Sequence, residues 1–230
     1  MSIYRDNILG NSVLDTVIFG VYEILSNIFP GALLLVTIIL FLININTTFL
    51  SKYNYEIFSD NIIFLIFLFI SFILGQIIQS ISSIWEKIYY KKVFHGYPSE
   101  KILSEGDHTF PPYFKEEIRK KINNEYGVPN ESSSQHIFEI CYTYVVENNL
   151  SNRVTNFLNM YTFSRNMIIT SLIEGLLLVT WSFLKSDINI RLIGIIFLCT
   201  VLPFFERYQN YAKAFAKEVF RSYFIGKKVK

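Results

Sequence analysis

Cysteine and histidine are scarce in this chain of 230 residues, which holds two cysteines and three histidines. Cys141 and Cys199 are too few for a disulfide framework, and we expect both to be reduced thiols. The histidines at 95, 108 and 136 are scattered, and no further ligands stand at fixed offsets from them. A structural or catalytic metal site is therefore not expected.

The short motifs that carry familiar catalytic chemistry are also missing. The chain has no glycine-rich phosphate loop, no nucleophile elbow, no HExxH pair and no RxxxxH pattern of helical ribonucleases. We therefore expect a protein that is not an enzyme and needs no cofactor. The segment 82 to 166 balances ten basic against ten acidic residues, so specific nucleic-acid recognition is not expected either.

Charged residues make up 17% of the chain and are rare in four apolar runs. These runs cover residues 28 to 45, 61 to 81, 167 to 184 and 190 to 205. A helix needs roughly 20 apolar residues to cross a ~30 Å hydrocarbon core. The sequence therefore predicts an all-α protein with four transmembrane helices. The fourth run is the shortest and has Arg191 at its edge, so a re-entrant or interfacial segment is the alternative there.

Basic residues are unevenly distributed among the segments that flank these runs. One precedes the first run, ten lie between 82 and 166, and seven follow residue 205, whereas the two other gaps hold one and two. Lysine and arginine concentrate on the cytoplasmic side of a membrane. We therefore predict a multi-pass protein of the inner membrane, in contact with membrane lipids, with the central segment and both termini in the cytoplasm.

This pattern divides the chain into four segments. Residues 1–81 hold an amphipathic N-terminal helix, with apolar positions from Val13 to Ile28, and the first two spans. Residues 82–166 form a small cytoplasmic helical bundle, and residues 167–205 hold the last two spans. Residues 206–230 form an amphipathic basic tail, which we expect either along the inner leaflet or over the cytoplasmic bundle.

Local signals place the helices of the central segment. The second span is expected to continue from Ser82 to Val93, and residues 94 to 112 are expected to be mainly loop. Pro111 and Pro112 open a helix that Gly127 closes. The serines at 132 to 134 cap the next helix. Ser151 is expected to cap a helix that runs directly into the third span.

Polar residues inside the spans are the best candidates for a site. Glu174 lies in the third run, and Gln76, Gln79 and Ser80 lie in the second at a comparable expected depth. An intramembrane ionisable group is costly and normally faces a helix bundle or water. These four residues are therefore expected to line an ion path, to join subunits, or to serve only as interhelical contacts. Glycines beside them, at 75 and 175, would allow close helix packing, a role that we favour over that of a hinge.

A second candidate group lies on the helix that enters the third span. Arg153 and Arg165 are basic, and Tyr161 stands one turn before Arg165. Basic and aromatic residues at a membrane boundary commonly anchor lipid headgroups. The alternative is a site for an anionic ligand or partner.

Four short sequences carry a resemblance to a known group of proteins: FPGALLL at 29 to 35, LGQIIQSI at 74 to 81, YTFSRNM at 161 to 167, and the tail RYQNYAKAFAKEVFRSYF. With the architecture of most of the chain, they resemble the small multi-pass membrane proteins of prokaryotic anti-phage loci, such as the membrane component of Kiwa-type systems or CRISPR-associated membrane accessory proteins. The resemblance implies a membrane-resident homo-oligomer that senses infection, or perturbs the inner membrane when a cytoplasmic protein partner signals. It assigns no functional residues.

Three classes of function follow. The favoured one is an anti-phage effector or sensor that couples a cytoplasmic signal to membrane perturbation through a pore or similar change. A membrane scaffold that recruits a cytoplasmic partner is the second, and it would depend on residues 134 to 149 and not on Glu174. A small ion channel or transporter is the third, although inverted repeats and paired broken helices are missing.

Overall fold

The computed structural model describes residues 26–43, 60–104, 106–129 and 132–226. Within these ranges the chain is helical and contains no strand, as predicted. The helices are α1 (Ser26–Ile43), α2 (Asp60–Tyr89), α3 (Pro98–Lys101), α4 (Pro112–Tyr126), α5 (Ser134–Glu147), α6 (Asn152–Lys185) and α7 (Ile188–Gly226). The predicted amphipathic helix before residue 26 and the end of the first run at 44 to 45 lie outside the described residues.

Four of these helices are long and apolar enough to cross a membrane: Ser26–Ile43, Asn61–Phe94, Asn152–Lys185 and Ile188–Gly226. They expose large apolar side chains, among them Phe69 at 66%, Leu184 at 76% and Leu202 at 74%. Such surfaces suit a hydrocarbon environment, because a soluble protein rarely exposes contiguous apolar area of this kind. The fourth run lies within one continuous helix that passes through Pro203, which excludes a re-entrant turn in this segment.

The chain groups into two compact units. The bundle unit comprises Lys87–Tyr161 and the described part of Gln209–Lys230. The span unit comprises the described parts of Thr16–Glu86 and Thr162–Tyr208. Helices α2, α6 and α7 each contribute residues to both units.

The bundle unit has its own apolar core. Helix α4 buries side chains four residues apart, and α5 and α7 do the same at spacings of three or four, because such positions share one face of a helix. These residues are Ile118, Ile122, Ile137, Cys141, Val145, Ala216, Val219, Phe220 and Tyr223. The basic tail thus contributes core residues to the bundle unit, which is the second of the two arrangements expected from its sequence.

The helix ends follow the local signals in the sequence. Helix α2 continues as a π-helical turn over Tyr90–Phe94 and stops at His95 and Gly96, whose φ angles are 50° and 130°. Gly127 closes α4 with φ 64°, a left-handed conformation that favours glycine. At α5, the Ser133 hydroxyl accepts a hydrogen bond from the backbone N–H of His136. These ends agree with the predicted helices.

Glycines bring helix backbones into contact within the span unit. A Cβ atom on Gly75 would overlap the backbone of Asn27 on α1, and one on Gly31 would overlap the backbone of Ser71 on α2. A Cβ on Gly175 would lie 3.0 Å from the carbonyl oxygen of Gly194 on α7. The packing role expected for the glycines at 75 and 175 is confirmed, and these contacts fix the faces that the helices present to one another.

Candidate functional site

One face of α6 carries a line of polar side chains through an otherwise apolar helix. Asn166, Thr170 and Glu174 recur every four residues, so they lie on the same side of the helix. Each has 0% of its surface exposed. Burial of three polar side chains in succession indicates that this line forms the polar interior of the span unit.

The carboxyl group of Glu174 lies at one end of this line. Among the described residues, no hydrogen bond of ordinary geometry reaches either of its oxygens, although the Thr37 side chain on α1 is close enough to interact with it. The hydroxyl groups of Thr170 and Ser71 are likewise buried without a described partner. A buried charge without compensation is unfavourable. This carboxyl therefore needs a proton, a cation or a well-placed hydrogen-bond donor beside it.

The other end of the line, at Asn166, is hydrogen-bonded to two other helices. The Ser82 hydroxyl on α2 donates to Asn166 Oδ1 at 2.6 Å. Asn166 Nδ2 donates to the backbone carbonyl of Ser26 on α1 at 3.3 Å. One side chain thus links three helices, and all three residues are buried.

A buried ion pair lies beside this link. Arg165 Nη1 on α6 donates to Glu86 Oε2 on α2, and both side chains are 9% exposed. Charge-assisted pairs of this kind are strong when both partners are desolvated, and they are costly to break. The structure thus places Arg165 in the interior, whereas the sequence suggested a headgroup anchor or a site for an anionic ligand or partner.

The glutamines of α2 do not join Glu174. Gln76 and Ser80 are exposed and Gln79 is half-buried, while Glu174 is fully buried. The residues that α2 turns toward the interior are instead Ser71, Gly75, Ile78, Ser82 and Glu86. The four polar residues were expected to lie together, and the packing of the helices shows that they do not.

The remaining predicted site residues lie in the bundle unit. Arg153 is exposed and lines a surface recess of about 510 Å³ with Asn149, Glu218 and Arg221. Tyr161 is half-buried. Arg153 and Tyr161 therefore share a unit, whereas Arg165 belongs to the span unit and pairs with Glu86. The three residues do not form one described site.

Sequence reasoning missed Glu86, Asn166 and Thr170. The spacing of Asn166, Thr170 and Glu174 is a signal that could have predicted this line, because polar residues recur there every four positions in an otherwise apolar helix. The pairing of Arg165 with Glu86 could not be predicted, because the two residues are 79 positions apart in the chain. Glu86 also stands beside aromatic residues and lysines, a pattern that is typical of contacts with lipid headgroups.

In the described ranges, no cluster of three or more histidine, cysteine, aspartate or glutamate side chains is placed to hold a metal ion. What the span unit offers is a buried ion pair, a hydrogen-bonded asparagine and a fully buried carboxyl. Such a set suits ion or proton binding and conformational control. Comparison with family models, curated proteins and solved structures finds nothing that matches this chain.

Proposed function

We propose that this chain is an inner-membrane effector or sensor of bacterial anti-phage defence. In this proposal it crosses the membrane four times and works as a homo-oligomer. The bundle unit lies in the cytoplasm and receives a signal from a protein partner. The span unit then changes state and perturbs the membrane.

The buried carboxyl of Glu174 is the observation that supports an active role for the span unit, and the defence setting follows from the resemblance to membrane proteins of anti-phage loci. Ionisable groups inside transmembrane helices are rare and usually functional, because their burial is costly. Glu174 is fully buried in a helix apolar enough to span a membrane.

The closed packing around Glu174 favours a triggered effector over a constitutive channel. None of its surface is exposed, so a single described copy provides no aqueous route to it. The glycine contacts of α1 with α2 and of α6 with α7 hold these helices at backbone distance. Opening a path would require helix movement, which fits a protein that acts only on activation.

Phage survival tests the proposal directly. Cells that carry the gene with its native neighbouring genes would be infected, with wild type compared with Glu174→Gln. Glu206→Gln is the matched control, because it makes the same chemical change at an exposed residue of the same unit. We expect Glu174→Gln to reduce survival to the level of cells without the gene, and Glu206→Gln to match wild type. Equal protection by all three proteins, at equal membrane abundance, would contradict an effector role for Glu174.

A scaffold that recruits a cytoplasmic partner is a second candidate, favoured by a recess in the bundle unit. The recess measures about 260 Å³ and is lined by acidic and aromatic side chains, including Tyr126, Glu139, Tyr144 and Glu147. Glu139 and Glu147 are exposed, so a protein partner has access to them. A scaffold predicts that Glu139→Lys with Glu147→Lys abolishes protection while Glu174→Gln retains it.

A further inference from the structure

Helix α2 exposes a stripe with the spacing of a helix-pairing seam. Phe69, Ile73, Gln76, Ser80 and Ser83 follow one another at intervals of four and three residues, as do the core positions of paired helices. Phe69 is 66% exposed and Ile73 43% exposed; Gln76 and Ser80 are exposed, and Ser83 is half-buried. This seam lies apart from the α2 face that packs inside the span unit.

Gln76 is out of place on a surface that faces hydrocarbon. It lies within the apolar run 61 to 81, in a helix whose mean hydropathy over its most apolar part is 2.5. An amide in hydrocarbon is costly unless another group hydrogen-bonds it. On the seam, Ile73 is apolar and the Ser80 hydroxyl already donates to the backbone carbonyl of Gln76. A polar group from outside the copy would therefore satisfy the exposed amide.

A second copy of the same seam supplies that group. A glutamine amide has both donors and acceptors, so two Gln76 side chains can hydrogen-bond each other reciprocally. Ser80 and Ser83 also suit close approach, because they are small and their hydroxyls donate to the carbonyls of Gln76 and Gln79 in their own helix, both at 2.9 Å. A second copy of the seam can therefore satisfy the Gln76 amide, and the small serines allow the two helices to approach.

We propose that two copies of the chain pair through the α2 seam, with their Gln76 amides hydrogen-bonded across the interface. This inference rests on the proposed membrane insertion and specifies the surface that makes the homo-oligomer. It does not depend on the role of Glu174.

Disulfide cross-linking in isolated membranes tests the pairing. Ser80→Cys would be compared with Ile81→Cys in a Cys199→Ala background, in which the native thiol that remains is the fully buried Cys141. Ile81 is 43% exposed but points about 100° around the helix from Ser80. We expect oxidation to give a covalent dimer of Ser80→Cys, and no dimer above background for Ile81→Cys or for the parent.

The hydrogen bond is tested in the Ser80→Cys protein. Adding Gln76→Leu is expected to lower the cross-linked fraction about threefold to tenfold, in line with interhelical hydrogen bonds measured in membranes. Adding Ile77→Leu at the neighbouring exposed position is expected to leave it unchanged.

The outcomes separate this inference from the proposed function. The pairing would be overturned if the protein is found in the membrane fraction but cross-links equally at 80 and 81, or if Gln76→Leu leaves the cross-linked fraction unchanged. Either result would leave the effector proposal intact. Protein absent from the membrane fraction would overturn both.

Discussion

Arg165 on α6 and Glu86 on α2 form a buried salt bridge across 79 positions of sequence, with each side chain 9% exposed. The neighbouring Asn166 links the same two helices through Ser82. Together these contacts fix the register of α2 against α6. The ion pair therefore bears on both the stability and the state of the span unit.

Removing one partner of this pair should be more damaging than removing both. Glu86→Gln leaves the Arg165 charge buried without its partner, and we expect the free energy of unfolding to fall by about 3–5 kcal/mol. The double variant Glu86→Gln with Arg165→Gln should recover part of this loss. Chemical denaturation of the protein in detergent micelles measures these differences.

Arg153→Gln is the control, because Arg153 is exposed. Its effect should stay within about 0.5 kcal/mol. Strictly additive losses for Glu86→Gln and Arg165→Gln would show that the two side chains do not interact.

Adding a methyl group at the glycine contacts should force helices apart. Gly75→Ala places its Cβ against the backbone of Asn27, which cannot move aside as a flexible side chain can. We expect the free energy of unfolding to fall by about 1–3 kcal/mol, the usual range for overpacking. Gly106→Ala is the control, because its Cβ would meet nothing within 4 Å. Equal melting temperatures for the two variants would contradict the close α1 to α2 contact.

Cys141 should make stability depend on alkaline pH. Burial raises the pKa of this thiol, so it stays protonated in the folded state where the unfolded thiol ionises, above about pH 8.5. The unfolded state then binds fewer protons, so the free energy of unfolding falls as pH rises, by about 1.6 kcal/mol between pH 8.5 and 10. Cys141→Ala should be less stable than wild type at pH 8.5, but its free energy of unfolding should fall less between pH 8.5 and 10. Parallel pH profiles for the two proteins would argue against a buried neutral thiol.

Lys115 should hold the loop between α3 and α4. Its side chain is 8% exposed, and its ammonium donates to the backbone carbonyls of Ser104 and Asp107. Lys115→Met keeps much of the apolar stem but removes both bonds from the ammonium, at a cost of about 1.5–3 kcal/mol. The Ser104 carbonyl then keeps only the backbone N–H of Asp107 as its donor. Limited proteolysis should cut this loop faster in Lys115→Met than in wild type or in the exposed control Lys120→Met. Unchanged cleavage would refute the role of Lys115.

The sequence predicted the helices more completely than the site. Helix ends depend on local signals such as the glycine at 127 and the serine at 133, and the sequence was sufficient to predict them. Counting residues along a span estimates depth, which is why Gln76 was expected near Glu174. It does not give rotation about the helix axis, which here follows from the contacts of Gly31 and Gly75 across α1 and α2. Tertiary packing therefore decided that Gln76 faces outward while Glu174 is buried.

Membrane potential during infection is the most direct measurement of the central claim, that Glu174 takes part in a triggered change of the span unit. Single cells carrying the gene with its native neighbours would be followed with a potential-sensitive dye, comparing wild type with Glu174→Gln and the exposed control Glu206→Gln. We expect depolarisation after infection in wild type and Glu206→Gln, no change before infection, and no depolarisation in Glu174→Gln at equal membrane abundance. Protection without any change in potential, equal in all three proteins, would contradict the account.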